Sequence, residues 1–235
     1  VAVAAALAVG LACGLWNGFL VAVLDIQPIV ATLVLMVAGR GIAQLITEGF
    51  IVTFTDPVLI FIGTGSFLGF PMAAVIALAL LVLVTLLVRK TALGLFIEAV
   101  GVNRAAASLA GIRSRMLLLY VYGLSGVCAA IAGIIVAGDI RGADANNAGL
   151  WLELDAILAV VIGGTSLLGG RFSVPLAVLG ALIIQAMNTG ILVSGFPPEF
   201  NLIVKAALIF LVLIIQSPLA SRIMPTRMPV RETSK

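Results

Sequence analysis

MLLLYVYGLSGVCAAIAGIIVAG, residues 116–138, runs for 23 positions without a charged side chain. At 1.5 Å per residue a helix of that length crosses the roughly 30 Å of a bilayer's hydrocarbon, and a helix satisfies its own backbone polar groups there. The flanks carry opposite charge. On the N-terminal side, RKTALGLFIEAVGVNRAAASLAGIRSR, residues 89–115, sets five bases against one acid. On the C-terminal side, residues 139–155 are net acidic. Basic loops stay in the cytoplasm, so the chain is expected to pass outward through residues 116–138.

Reading outward gives further apolar runs near 2–24, 29–48, 71–88, 156–170, 174–194 and 202–217, about seven spans in all. Hydrophobic residues make up 63% of the 235 positions, charged residues 10%, and mean hydropathy is +1.30. These values exclude an ordinary soluble domain and predict an all-α, polytopic transmembrane bundle. A membrane domain over 1–217 is followed by a basic tail, 218–235, on the cytoplasmic side with Arg222, Arg227, Arg231 and Lys235. Loops 49–70 and 139–155 then fall outside. Threading backwards puts Val1 on the outer face, with neither an initiator Met nor a signal-peptide flank. Preceding spans are therefore expected, odd in number if the complete protein begins in the cytoplasm. The net charge of +3 reports this topology and not a nucleic-acid partner. Cys13 and Cys128 lie in apolar runs and act as small hydrophobes.

Within the basic island, Asn103 suits an N-cap, Arg104 to Ala110 are good helix formers, and Gly111 stands where a helix ends. A short helix outside the bilayer is predicted. Small residues recur every fourth position at Gly10, Gly14 and Gly18, and again at Ala129, Gly133 and Ala137, which predicts close helix packing at both. AILAVVIGGTSLLGGR is short for a span and carries glycine pairs around Thr165 and Ser166. It reads either as a broken or re-entrant helix lining a path, or as a short continuous one.

Polar groups inside spans usually pair or meet a hydrated cavity. Arg40, Gln44 and Glu48 share one helix face, and Gln185, Asn188 and Thr189 share another. A neutral, hydroxyl-rich solute suits such amide-bearing faces. For Arg40, lining a path and snorkelling to the outer interface both remain open; Asn17 bonds a neighbouring helix or joins the path, and Lys205 is placed at the outer interface. The sequence has no histidine, which excludes histidine acid–base catalysis and imidazole metal sites, and leaves GLSG at 123–126 as helix packing and not a protease nucleophile. No glycine cluster continues as GK[ST], so no ATP site, cofactor or metal is expected on this chain.

EAVGVNRAAASLAGI, a loop ending in ELDAI, and AVVIGGTSLLGGR together resemble the permease subunits of the ribose, xylose and arabinose class of ABC importers, as does NGFLVAVLDIQPIVATLVLMVAGRGIAQLITEG through Asn17, Pro28, Thr32, Arg40 and Gly41. The loops GDIRGADANNAGLWLELDAI and MNTGILVSGFPPE are similar to the galactofuranose branch of that family. The resemblance implies about ten spans in a complete protein and alternating access by a permease homodimer. A separate ATPase would drive it and a periplasmic sugar-binding protein would feed it. It turns 89–115 into the segment that couples to the ATPase, through Glu98, Gly101, Asn103, Ala106 and Gly111. Asn17, Arg40, Gln44, Thr165, Ser166, Gln185 and Asn188 become translocation-path candidates. Asp139, Arg141, Asp144, Glu153 and Asp155 become contacts for the binding protein. The family's GIDLSVG-type segment is not in this sequence. Two alternatives stand beside this reading. One is a permease of the same superfamily for branched-chain amino acids or nucleosides. The other is an ion-coupled carrier, which the position of Asp25, Asp56, Glu98, Asp139 and Asp155 at span ends disfavours.

Overall fold

A computed structural model describes residues 1–67, 69–165, 169–195, 197 and 200–216. The chain divides into two compact units, Val1–Leu150 and Trp151–Lys235. In the first, α1 (Ala2–Ala22) and α2 (Pro28–Thr47) are followed by a strand β1 (Val52–Thr53), a short helix α3 (Pro57–Thr64) and a hairpin of β2 (Ser66–Phe67) with β3 (Phe70–Pro71). Then come α4 (Met72–Lys90), α5 (Leu93–Val102), α6 (Arg104–Leu109), the long α7 (Ser114–Ile140) and β4 (Gly142–Ala143). The second unit holds α8 (Leu152–Ile162), α9 (Val174–Val193) and α10 (Phe200–Gln216).

Among the described residues, five helices, α1, α2, α4, α7 and α9, are long and apolar enough to cross a membrane. The fold is all-α and polytopic, as expected. Many large apolar side chains on these helices, such as Val37, Leu45, Leu78 and Leu182, are exposed, which suits a lipid surface. Helix starts follow local chemistry. Proline occupies the first turn of α2, α3 and α9, where its missing N–H costs no hydrogen bond. Asp56 caps α3, its Oδ1 accepting from Val58 N at 2.8 Å.

Lipid gives helices no hydrophobic reason to associate, so contact rests on close backbone approach at small residues. α1 and α7 run antiparallel and meet along Gly10, Gly14 and Gly18. A Cβ built on Gly126 would lie 3.0 Å from Gly14 Cα, and one on Gly18 would lie 3.1 Å from Leu119 Cα. Gly123 and Gly126 of the GLSG segment thus serve packing. The second row of small residues makes no such approach at Gly133 among the described residues. Gly133 has open space where a side chain would stand, so the Ala129, Gly133 and Ala137 row is not the face α7 presents to α1. Further along, Gly138 meets Gly63 of α3.

β1 pairs antiparallel with β4, Val52 opposite Ala143, which ties loops 49–70 and 139–150 to one end of α7. That end is the one the charge pattern assigned to the outside. The outer loop ends earlier than expected, because α8 already begins at Leu152 and takes Glu153 and Asp155 into its first turn.

α8 is 11 residues long, about 16 Å at the helical rise. It stops at Gly163, Gly164 adopts φ +81°, and residues 169–173 are not helical. The continuous-helix reading of 156–170 is therefore replaced by an interrupted one. Ser166 lies outside the described residues, as do Phe196, Pro198 and Glu199 of the second diagnostic loop and the tail 218–235. α8 packs on α9 where Gly163 faces Ala177 and Gly180 faces Ala159, around a core of Leu158, Ala159 and Ile184. Lys205, expected at the outer interface, is not left to water. It is buried, with Nζ 2.7 Å from Asp155 Oδ1 and 2.8 Å from Oδ2, so the ion pair fastens α10 to the start of α8.

Two stability outcomes follow from this packing. Gly126→Leu should destabilise the detergent-solubilised protein by about 3 kcal/mol through overpacking, with Gly133→Leu nearly neutral; thermal unfolding of the two variants compares them. Lys205→Met, which strands a buried carboxylate, should cost roughly 3–5 kcal/mol, and Asp155→Leu combined with it should recover most of that in the same assay.

Candidate translocation cavity and coupling segment

In the first unit, a cavity of about 510 Å³ lies between α1, α2 and the loop after β4. Cys13 and Asn17, one helical turn apart, line its α1 wall; Thr32, Met36 and Arg40 line the α2 wall; and Asp144, Ala145 and Ala148 line the loop side. Asn17 Oδ1 is buried without a hydrogen-bond partner among the described residues. Thr32 Oγ1 donates back to its own helix, to Pro28 O at 3.0 Å. Two expected path residues, Asn17 and Arg40, are thus brought to one cavity.

Arg40 and its neighbour Gln44 hold the loop. Arg40 Nη1 donates to Asn146 O at 3.0 Å and Nη2 to Ala148 O at 3.4 Å, while Gln44 Nε2 donates to Asn146 Oδ1 at 2.9 Å. Asn146 Nδ2 in turn donates to Gly49 O at 2.8 Å. Asp144 shapes the loop from within, its Oδ1 accepting from the N–H groups of Asn146 and Asn147 and its Oδ2 from Asn147 Nδ2. The Asn147 side chain, then the two backbone N–H groups, hold the Asp144 carboxyl below the ordinary carboxylate range, so it is ionised at neutral pH. Arg40 is neither a simple snorkel nor a charge directed only at a path: its guanidinium is committed to loop carbonyls. Glu48 leaves the α2 face shared by Arg40 and Gln44, turning left-handed at φ 52° to end the helix.

In the second unit, a cavity of about 230 Å³ is lined by Asp155 of α8 and Gln185 of α9 among small residues Ala156, Ala159 and Ala181. Asn188 Oδ1, one turn beyond Gln185, is buried without a partner among the described residues. Thr189 spends its hydroxyl on Gln185 O at 2.9 Å. Thr165 closes the turn after α8, its N–H donating to Val160 O at 3.1 Å. Of the five charges expected to contact a binding protein, Asp155 is taken by Lys205 and Asp144 by its own loop. Asp139 lies in the last turn of α7, Arg141 caps that helix with φ 53°, and Glu153 lies in the first turn of α8.

The basic island folds as two helices where the sequence suggested one. α6 has the expected ends: Asn103 Oδ1 accepts from Ala106 N at 3.0 Å, and Gly111 takes φ +86°, a conformation glycine adopts without strain. α5, which carries Glu98 and Gly101, was missed because its residues read only as part of the basic cytoplasmic island. Sequence reading also missed two long-range contacts, Arg104 with Asp25 across 79 residues and Arg40 with Asn146 across 106. Neither leaves a local signal.

The family described as the branched-chain amino acid transport system / permease component matches residues 1–213. The chain is 67% identical over 212 residues to the galactofuranose transporter permease protein YtfT of Escherichia coli K12, covering 90% of this chain and 62% of that protein. It is 44% identical over 218 residues to the fructose import permease protein FruF of Bifidobacterium longum, covering 91% and 61%, and 39% identical over 221 residues to the ribose import permease protein RbsC of Escherichia coli K12, covering 92% and 68%. The chain thus spans about six-tenths of the length of the first two. No solved structure matches it. Its apolar helices and these matches make it a multi-pass protein of the bacterial inner (plasma) membrane. The chain belongs to the family of branched-chain amino acid transport system / permease components.

Proposed function

We propose that this chain is the larger part of the permease subunit of an ATP-binding-cassette importer that moves a monosaccharide, galactofuranose or one like it, by alternating access. One observation carries the reading: 67% identity, across 90% of the chain, to a protein named a galactofuranose transporter permease. Fructose and ribose import permeases at 44% and 39% identity support a sugar cargo. The alternative cargo, a branched-chain amino acid, draws on the family's description.

In this reading the chain itself hydrolyses nothing. A separate ATPase subunit docks on the coupling segment, where Asn103 and Gly111 set the ends of α6, Ala106 takes the cap, and Glu98 and Gly101 lie on α5. A second permease copy completes a homodimer, and a periplasmic sugar-binding protein delivers solute to the outer loops, with Asp139, Arg141 and Glu153 as its contacts. Asn17 in the first unit, and Gln185, Asn188 and Thr165 in the second, meet the passing hydroxyls, with Ser166 as a further candidate. Arg40 and Gln44 hold the 144–148 loop over the outer end of the first cavity.

The test is uptake of labelled galactofuranose into proteoliposomes carrying the complete permease, its ATPase and its binding protein. Wild type should take up sugar only with ATP. Gly111→Arg, which places a side chain at φ +86°, and Glu98→Arg should each reduce uptake by about tenfold or more with the permease still inserted. Uptake without ATP would overturn the importer reading, and ATP-driven uptake of leucine in place of sugar would overturn the cargo.

A further inference from the structure

We infer that Arg104 is a positioning residue that couples α6 to α1, with Asp25 as its partner, so that movement of the coupling segment is delivered to the wall of the first cavity. The inference rests on the importer reading above and names the contact through which that reading would work. Arg104 is the first residue of α6, directly after the Asn103 cap. Its Nη1 lies 2.6 Å from Asp25 Oδ1, and its Nη2 donates to Ala22 O at 3.0 Å, the carbonyl of the last residue of α1. A guanidinium at that end also complements the negative end of the α1 dipole. Asp25 is held for the contact by a left-handed backbone, φ 51°, in the turn between α1 and α2.

The rest of the path is packed. α6 joins α7 through the Gly111 turn, and α7 is locked to α1 at Gly126 and Gly14. Arg104 closes the third side of this triangle. On α1, about one and a half and two and a half turns back from Ala22, lie Asn17 and Cys13, which line the 510 Å³ cavity. Beside the ion pair is a groove of about 430 Å³ lined by Ser108, Ser114 and Arg115 as well, so the pair stands at an open surface. Its side chains are 35% and 68% exposed, and a pair so exposed contributes little to stability. Its use is to fix geometry.

The experiment reconstitutes the complete permease with its ATPase and binding protein and measures galactofuranose uptake per ATP hydrolysed. Arg104→Ala and Asp25→Ala should insert, co-purify with the ATPase and unfold near the wild-type temperature, yet lower the uptake-to-hydrolysis ratio about tenfold, a typical coupling magnitude. Arg104→Lys should retain part of the ratio, and Asp25→Arg with Arg104→Asp should recover more of it than either charge reversal alone. A wild-type ratio in the alanine variants would overturn the inference. So would a loss that neither the lysine nor the charge swap relieves, or one explained by unfolding or by loss of the ATPase. Failure of the importer reading shows separately, as ATP-independent uptake by the wild-type complex.

Discussion

Contact between the backbones of α1 and α7 is the constraint on which the first unit depends. Surrounding lipid is as apolar as any side chain, so two helices gain by touching only where they come near enough for many dispersion contacts. Gly10, Gly14, Gly18, Gly123 and Gly126 make that approach possible, and any Cβ at Gly126 would enter the α1 backbone. The same device recurs where α3 meets α7 at Gly63 and Gly138, and, in the second unit, where α8 meets α9 at Gly163 and Gly180. A helix pair joined in this way has few alternative packings. The α1 wall of the cavity is therefore fixed relative to α7, and motion of that wall has to come from motion of the pair.

Much of this arrangement could be read from the sequence because its physics is local. Apolar runs marked α1, α2, α4, α7, α9 and α10 to within a few residues, since hydrocarbon thickness sets their length. The ends of α6 were legible at Asn103 and Gly111 because a cap and a positive φ each demand particular side chains. What failed was choice between faces. Small residues recur every fourth position at Ala129, Gly133 and Ala137 as they do at Gly10, Gly14 and Gly18, yet among the described residues the latter row packs against another helix while Gly133 faces open space. Spacing shows that a face is small; it does not show what lies across from it.

The polar residues divide along the same line. Their positions on helix faces were legible, and their partners were not. Arg40 satisfied two readings equally until Asn146 and Ala148, more than 100 residues away, proved to accept its hydrogen bonds. Lys205 looked like a residue that escapes to water, but Asp155 gives it a buried partner 50 residues distant. Burying a lone ammonium in a low-dielectric surrounding is costly enough that the chain either pairs it or exposes it, and periodicity cannot tell which.

Once these ties are drawn, the groups left unsatisfied become informative. Arg40 gives its donors to the loop, and Lys205 meets a carboxylate, so neither unit directs a free, unbonded cation into its cavity among these residues. Asn17 Oδ1 and Asn188 Oδ1, in contrast, are buried acceptors without partners among the described residues. Leaving such an oxygen unpaired costs on the order of 1–3 kcal/mol. A hydroxyl donor reaching it relieves that cost, whereas a carboxylate, which only accepts hydrogen bonds, does not. For the proposed importer each of these oxygens, one in each unit, is an acceptor that a hydroxyl of a passing sugar can satisfy.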